Sequence, residues 1–284
     1  MAFKTIGVVG CGLMGSGIAQ VSAGAGLTTW VCEVDQGVLD KGLGRIRKFL
    51  EDGVTKGKVT AEDRDKILGN IKGTTKLDQL APCELVIEAA VENLEVKRQV
   101  FAALDAAVAP DAVLSSNTSS LSITEIAART RRPDRVLGLH FFNPVPLMKL
   151  VEIIRALTTS DAAYGRAQEY VAQIGKTPVL CQDTPGFVVN RLLVPYLLDA
   201  VRVYESGIAS KEDIDNGMKL GCGYPMGPLT LLDFVGLDTT YYIANIMFEE
   251  FREPRFAAPP LLKRMVLAGH LGRKSGRGFY DYSK

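Results

Sequence analysis

The chain has 284 residues, enough for two domains of ordinary size or one large one. Hydrophobic residues make up 47%, ample for real cores, and 33 basic side chains nearly balance 32 acidic ones. The net charge of +1 argues against a nucleic-acid protein, which is ordinarily strongly basic, and no apolar run approaches the roughly 20 residues of a membrane helix.

The beginning, Met1 to Gly10, runs straight into a strand, with no apolar stretch and small-residue cleavage site. Short strands are then expected at Ile6 to Val9, Thr28 to Glu33, Ile71 to Thr74, Leu85 to Glu88, Ala112 to Ser115 and Val136 to His140. Helices fall between them. Gly15 to Ala25 is rich in small residues, and Leu39, Leu43, Ile46 and Leu50 recur at helical spacing. Thr60-x-x-Asp63 and Ser122-x-x-Glu125 carry capping signals, and a further helix spans about 93 to 108. Strands alternating with helices predict a parallel sheet covered on both faces. The texture changes at Asp183-Thr-Pro-Gly186. Helical segments follow at Leu192 to Tyr204, Lys211 to Leu220, Leu229 to Phe234, Thr239 to Phe251 and Leu261 to Ala268, with Pro195 expected to kink or start the first. The expected architecture is α/β: a Rossmann-type doubly wound sheet over 1–184, then an all-helical domain over 185–284.

The five cysteines, Cys11, Cys32, Cys83, Cys181 and Cys222, are scattered, odd in number and without a Cys-x-x-Cys pair. That pattern favours a reducing compartment, with the cytoplasm expected, and argues against a structural zinc.

Gly10-x-Gly12-x-x-Gly15 follows a strand and opens a helix. There Gly10 permits a tight turn, Gly12 lets the backbone approach a pyrophosphate, and Gly15 lets helix and strand pack closely. The helix N-terminus offers N–H groups and partial positive charge to phosphates. Glu33, 21 residues beyond Gly12, can accept hydrogen bonds from ribose hydroxyls and, with Asp35, repels a 2′-phosphate. NAD is therefore expected over NADP.

His140, one of two histidines, ends a strand and precedes the rigid segment Phe141-Phe-Asn-Pro-Val-Pro146. Glu152 sits in the otherwise apolar run Leu150-Val-Glu-Ile-Ile154. An imidazole, with an unperturbed pKa of about 6.5, held by a carboxylate suits proton transfer near neutral pH. A core histidine with Glu152 in an unrelated salt bridge is the plainer reading of the same residues. Ser115 to Ser120 places polar side chains at the carboxyl end of a strand, the ligand side of a parallel sheet, although turn chemistry alone also favours serine and asparagine there.

The chain resembles the 3-hydroxyacyl-CoA dehydrogenase family from about residue 4 to its end. The resemblance is carried by Gly10 to Gly15, Ile87-Glu-Ala-Ala-Val-Glu92, Ser116-Asn-Thr-Ser-Ser120, His140-Phe-Phe-Asn-Pro144, Asp183-Thr-Pro-Gly-Phe-Val-Val-Asn-Arg191, Gly221-x-Gly-x-Pro-Met-Gly-Pro228 and Gly272-Arg-Lys-Ser-Gly-x-Gly-Phe-Tyr280. It implies NAD-dependent interconversion of a 3-hydroxyacyl-CoA, of the L-(S) series, with its 3-ketoacyl-CoA. It implies His140 and Glu152 as the catalytic pair, and Ser119 and Asn190 at the reacting oxygen, with the active site between the two domains. It also implies Glu92, Lys97, Asn117 and Asn143 at the nicotinamide ribose and carboxamide, with Leu13, Met14 and Ala89 lining the cofactor. Lys274 falls on a tail lysine that reaches the cofactor, and Lys56 and Lys58 on contacts to coenzyme A phosphates. A homodimer through the helical domain is implied as well, with neither nucleic acid nor membrane as partner. Glu33 departs from the aspartate usual in the family. Two other readings keep the two-domain plan: a dehydrogenase of small free 3-hydroxy acids, and a non-catalytic NAD(H)-binding sensor. The first would use a lysine of the second domain as acid/base, and asparagine at Asn190 and the His140–Glu152 pair argue against it.

Overall fold

Runs such as Leu85-Val-Ile-Glu88 and Val136-Leu-Gly-Leu-His-Phe141 lack polar alternation, so both faces of each strand must be covered. The computed structural model, which describes residues 3–283, buries every residue of both runs. The chain divides into two compact units, the first ending at Thr184 and the second beginning at Pro185.

The first unit alternates strands and helices in this order: β1 (Thr5–Val9), α1 (Leu13–Gly24), β2 (Thr28–Cys32), α2 (Gln36–Thr55), α3 (Ala61–Gly69), β3 (Ile71–Thr74), β4 (Leu85–Glu88), α4 (Leu94–Ala107), β5 (Val113–Ser116), α5 (Ile123–Ala127), β6 (Val136–Phe141), β7 (Leu150–Arg155), α6 (Asp161–Gln173) and β8 (Thr177–Gln182). One sheet takes all eight strands in the order β3-β2-β1-β4-β5-β6-β7-β8. The chain starts near the middle, winds outward to β3, then crosses to β4 and winds the other way. Ligand crevices in such sheets open where that direction reverses, beyond the strands' carboxyl ends.

The expectation of a wholly parallel sheet is corrected at one edge. β7 pairs antiparallel with β6, and β8 pairs parallel with β7. The cause is connection length. Residues 142–149 are too few for the dozen or more that a parallel crossover requires, so β7 must return beside β6. From β7 to β8 the chain crosses over through α6. The sequence reading names no element between His140 and Asp183, so β7, α6 and β8 are all missed, although Leu150 to Ile154 is marked as an apolar run. The signals are nonetheless physical: Ser160 Oγ accepts from Ala163 N–H at the start of α6, and Ala163, Ala167, Tyr170 and Val171 are buried at helical spacing.

Helix starts elsewhere carry side-chain caps, two of them expected, at Thr60 and Ser122, and two not, at Asp35 and Asn93. Asp35 accepts from Val38 N–H, Thr60 from Asp63 N–H, Asn93 from Val96 N–H and Ser122 from Glu125 N–H. Leu39, Ile46 and Leu50 of α2 enter the core with Ile18 of α1, Tyr170 of α6 and the strands' apolar faces. Each such side chain contributes about 1.5–3 kcal/mol by leaving water.

The second unit is helical: α7 (Val189–Glu205), α8 (Lys211–Asn216), α9 (Pro228–Val235), α10 (Leu237–Phe251) and α11 (Pro260–Leu267). Pro195 lies inside α7 and does not start it. The segment expected as one helix over 211–220 is α8 followed by a π-helical turn, Gly217–Gly221. Leu198, Val201, Leu232, Ala244 and Met247 lie at the centre of this unit's core. Two buried aspartates hold the tail against it. Asp233 accepts from Phe279 and Tyr280 N–H, and Asp215 from the Tyr280 hydroxyl. Among the described residues no helix is long and apolar enough to cross a membrane.

Candidate active site

β1 ends at Val9 and α1 starts at Leu13, so three residues must reverse the chain. Gly10 does so with φ +95°, where a Cβ would lie 2.7 Å from Ala89 O. A Cβ at Gly15 would come within 1.8 Å of Gly10 O, so only glycine lets the helix seat against the turn. Gly12 differs: nothing lies within 4 Å of where its Cβ would be. No side chain caps α1, and its first turn carries no acid. Its first N–H groups therefore face the open side of Gly12, which suits an anion. A cleft of about 640 Å³ opens there, lined by Gly10, Gly12, Leu13, Met14, Glu33 and Ala89 among others. Glu33 stands just past β2. Its Oε1 accepts from Cys11 N–H at 2.5 Å and its Oε2 from Val34 N–H at 3.0 Å, which fixes the carboxylate at the rim of the glycine turn. An uncapped helix start, an empty side at Gly12 and a carboxylate beside them fit a dinucleotide whose ribose carries no extra phosphate.

His140 and Glu152 are direct cross-strand partners in the antiparallel pair β6–β7. Opposed residues in such a pair project to the same face. Nδ1 of His140 lies 2.7 Å from Glu152 Oε2. Glu152 is fully buried and His140 is 6% exposed, so the pair is shielded from bulk water. The Phe142 ring packs on the imidazole, with centroids 4.5 Å apart. The loop after His140 is fixed from beneath: Lys176 Nζ donates to Val145 O at 2.6 Å and to Met148 O at 2.5 Å. Burial lowers the pKa of this lysine.

Beside them the carboxyl ends of β4 and β5 are joined through side chains. Asn117 Oδ1 accepts from Phe141 N–H at 2.9 Å, next to His140. Ser119 is half-buried, and its N–H donates to Glu92 Oε1 at 3.2 Å. Lys97 is buried, with Nζ 2.7 Å from Glu88 Oε1 and 3.3 Å from Glu92 Oε2. Asn143 is exposed at the start of the loop, and Lys56 and Lys58 are exposed in the turn between α2 and α3. In the second unit Asn190 is half-buried in the first turn of α7, and Lys274 is paired with Asp238 at 2.5 Å.

The first unit thus gathers Gly10, Gly12, Leu13, Met14, Glu33 and Ala89 around one cleft with Gly15 packed against the turn, and it joins His140 to Glu152, Asn117 to the strand that carries His140, and Ser119 through Glu92 to Lys97. Glu88 and Lys176 are given no role by the sequence reading, and Thr118 and Ser120 enter it only within the polar run Ser115 to Ser120. Glu88 had a usable signal, the same one that marks Glu152: a carboxylate in an otherwise apolar strand.

A surface that fits a dinucleotide, with a buried imidazole–carboxylate pair in the same unit, has the makings of a dehydrogenase. Comparison with known proteins narrows that class. Residues 5–184 match the family model of the 3-hydroxyacyl-CoA dehydrogenase NAD binding domain, and residues 186–282 that of the 3-hydroxyacyl-CoA dehydrogenase C-terminal domain. A 3-hydroxybutyryl-CoA dehydrogenase of Mycobacterium tuberculosis is 55% identical over 99% of both chains. The mitochondrial hydroxyacyl-coenzyme A dehydrogenase of Homo sapiens is 47% identical over 98% of this chain and 91% of its own. The crystal structure of (S)-3-hydroxybutyryl-CoA dehydrogenase PaaH1 from Ralstonia eutropha superposes with a TM-score of 0.96 at 44% identity, covering all of both chains. The chain belongs to the 3-hydroxyacyl-CoA dehydrogenase family.

Proposed function

We propose that the chain interconverts (S)-3-hydroxybutyryl-CoA, or another short-chain 3-hydroxyacyl-CoA, and its 3-ketoacyl-CoA, with NAD as cofactor. The cross-strand pair of His140 and Glu152 carries this reading. Glu152 accepts from Nδ1–H and so sets the tautomer, and the proton is exchanged at Nε2. In oxidation His140 takes the proton of the 3-hydroxyl; in reduction it returns one to the ketone oxygen. Glu152 offsets the charge of the imidazolium formed in between. NAD, when bound, supplies the hydride acceptor. Ser119 donates its hydroxyl to the reacting oxygen, and Asn190 has a part in holding the substrate. Glu33 holds the adenosine ribose, and Asn117 and Asn143 line the nicotinamide end. Lys56 and Lys58 meet coenzyme A phosphates as point charges. Lys274, now on Asp238, turns to the cofactor in the assembled enzyme.

In the same reading residues 1–184 bind NAD, and 185–284 serve substrate binding and a homodimer. The cytoplasm is the working compartment, in keeping with five unpaired cysteines.

The test follows loss of NADH absorbance with acetoacetyl-CoA, beside free acetoacetate as control. His140→Ala is expected to lower kcat by about 10²–10⁴-fold, the contribution of a placed base, with NADH affinity near wild type. Equal turnover of the variant, or equal use of the free acid, overturns the reading.

A further inference from the structure

Glu88 is the last residue of β4 and is completely buried. Its carboxylate is saturated with donors. Ala90 N–H and Lys97 Nζ both lie 2.7 Å from Oε1, and the Ser116 hydroxyl donates to Oε2 at 2.6 Å. Lys97, on the first turn of α4, is 1% exposed and reaches on to Glu92 Oε2 at 3.3 Å. Glu92 Oε1 then gathers the turn after β5: the Thr118 hydroxyl, Ser119 N–H at 3.2 Å and the Ser120 hydroxyl at 3.3 Å. The backbone repeats the connection, since Asn117 N–H donates to Glu88 O at 2.8 Å. A line of charged contacts therefore runs from a buried strand end, through one ammonium, to the turn that carries Ser119.

Stability alone gives little reason for such a line. An ion pair taken out of water repays little or none of its desolvation, and well-packed apolar side chains of similar volume generally do as well. What the pair does supply is direction. An ammonium between two carboxylates fixes where the second one stands, and Glu92 is only partly buried, with 30% of its side chain exposed. Without Lys97 its carboxylate would turn to water and release the Ser119 turn.

We propose that Glu88 is a positioning residue for the reaction: through Lys97 and Glu92, its buried carboxylate holds the turn Asn117–Ser120 so that the Ser119 hydroxyl meets the reacting oxygen. The inference rests on the assignment of Ser119 to that oxygen. Glu92 and Lys97 then serve the reacting oxygen through Ser119 in addition to their place at the nicotinamide ribose.

Three variants test it. Glu88→Gln keeps the shape and strands the Lys97 ammonium. It is expected to lower kcat by about 10- to 100-fold, as a misplacement of about 1 Å does. NADH affinity, measured by fluorescence titration, should stay near wild type while the melting temperature falls. The double variant Glu88→Gln/Lys97→Met removes the stranded charge. Its melting temperature should recover while kcat stays low. Glu92→Gln cuts the outer link without touching the core, and should lower kcat at saturating NADH with stability unchanged. Hydrogen exchange reads the turn without turnover: the Ser119 amide should exchange faster in all three.

Wild-type kcat in Glu88→Gln overturns the proposal, as does kcat that recovers together with stability in the double variant. Wild-type kcat at saturating NADH in Glu92→Gln also overturns it. If Glu88→Gln does not fold, the other two variants decide. Should the wild-type chain lack acyl-CoA turnover, the parent reading fails, and unchanged exchange at Ser119 in the variants would separately remove the positioning role.

Discussion

Glu88 and Glu152 are both fully buried carboxylates within strands, and each has a nitrogen 2.7 Å away. A buried charge without such a partner would cost several kcal/mol, so each position says that something nearby needs a fixed negative group. For Glu152 the partner is His140, and in the proposed reaction the consequence is kinetic. Glu152→Gln preserves size and an acceptor for Nδ1–H but cannot balance an imidazolium. A fall in kcat of roughly 10²-fold is expected, at the lower end of what acid–base catalysis contributes, with melting temperature little changed. An unchanged kcat would remove Glu152 from the reaction. The sequence makes this pair readable because histidine is scarce and the acid interrupts an apolar run. It does not disclose Glu88 and Lys97 as a pair. Nine residues separate them, across a turn and the start of a helix, and nothing in composition says that the lysine points inward.

At the scale of elements, the helix caps and most strands follow from local chemistry, whereas direction and edge position do not. The run at 150–154 reads as apolar and buried, but only the shortness of the preceding loop decides that it returns antiparallel. β8 is harder to see because Leu180 and its neighbours are half exposed at the sheet edge, which blurs the alternation. Side chains also splice elements together. Asp105 near the end of α4 accepts from Arg131 N–H and Nε at 3.0 Å and from Arg132 Nε at 2.6 Å, tying α4 to the connector before β6. Burial pulls the pKa of Asp105 upward, but the bonds from Arg131 and Arg132 outweigh it and hold the carboxyl below its ordinary value. A depressed carboxylate pKa contributes stability above the unfolded pKa and loses it as pH falls through the folded one. Asp105→Asn should therefore cost about 3 kcal/mol at neutral pH, because a buried arginine loses its counterion. The gap from wild type should narrow on acidification below about pH 4. Denaturant melts at both pH values check this; a gap that widens in acid would contradict it.

Across the whole molecule, four of the five cysteines lie in the first unit, with Cys11, Cys32 and Cys83 buried and Cys181 half-buried. Burial pushes the thiols of Cys11 and Cys32 up to about 11, with Glu33 adding to it, and those of Cys83 and Cys181 up to about 12. Cys222 is exposed. At pH 8 the native protein should therefore react with a maleimide quickly at Cys222 alone, and at all five cysteines after unfolding. A second fast thiol in the native state would show that a core opens readily. The register of β6 against β7 bears on the molecule's history. Since the sheet itself aligns imidazole with carboxylate, an exposed position of the bend such as Leu147 can change by descent without moving the two groups apart.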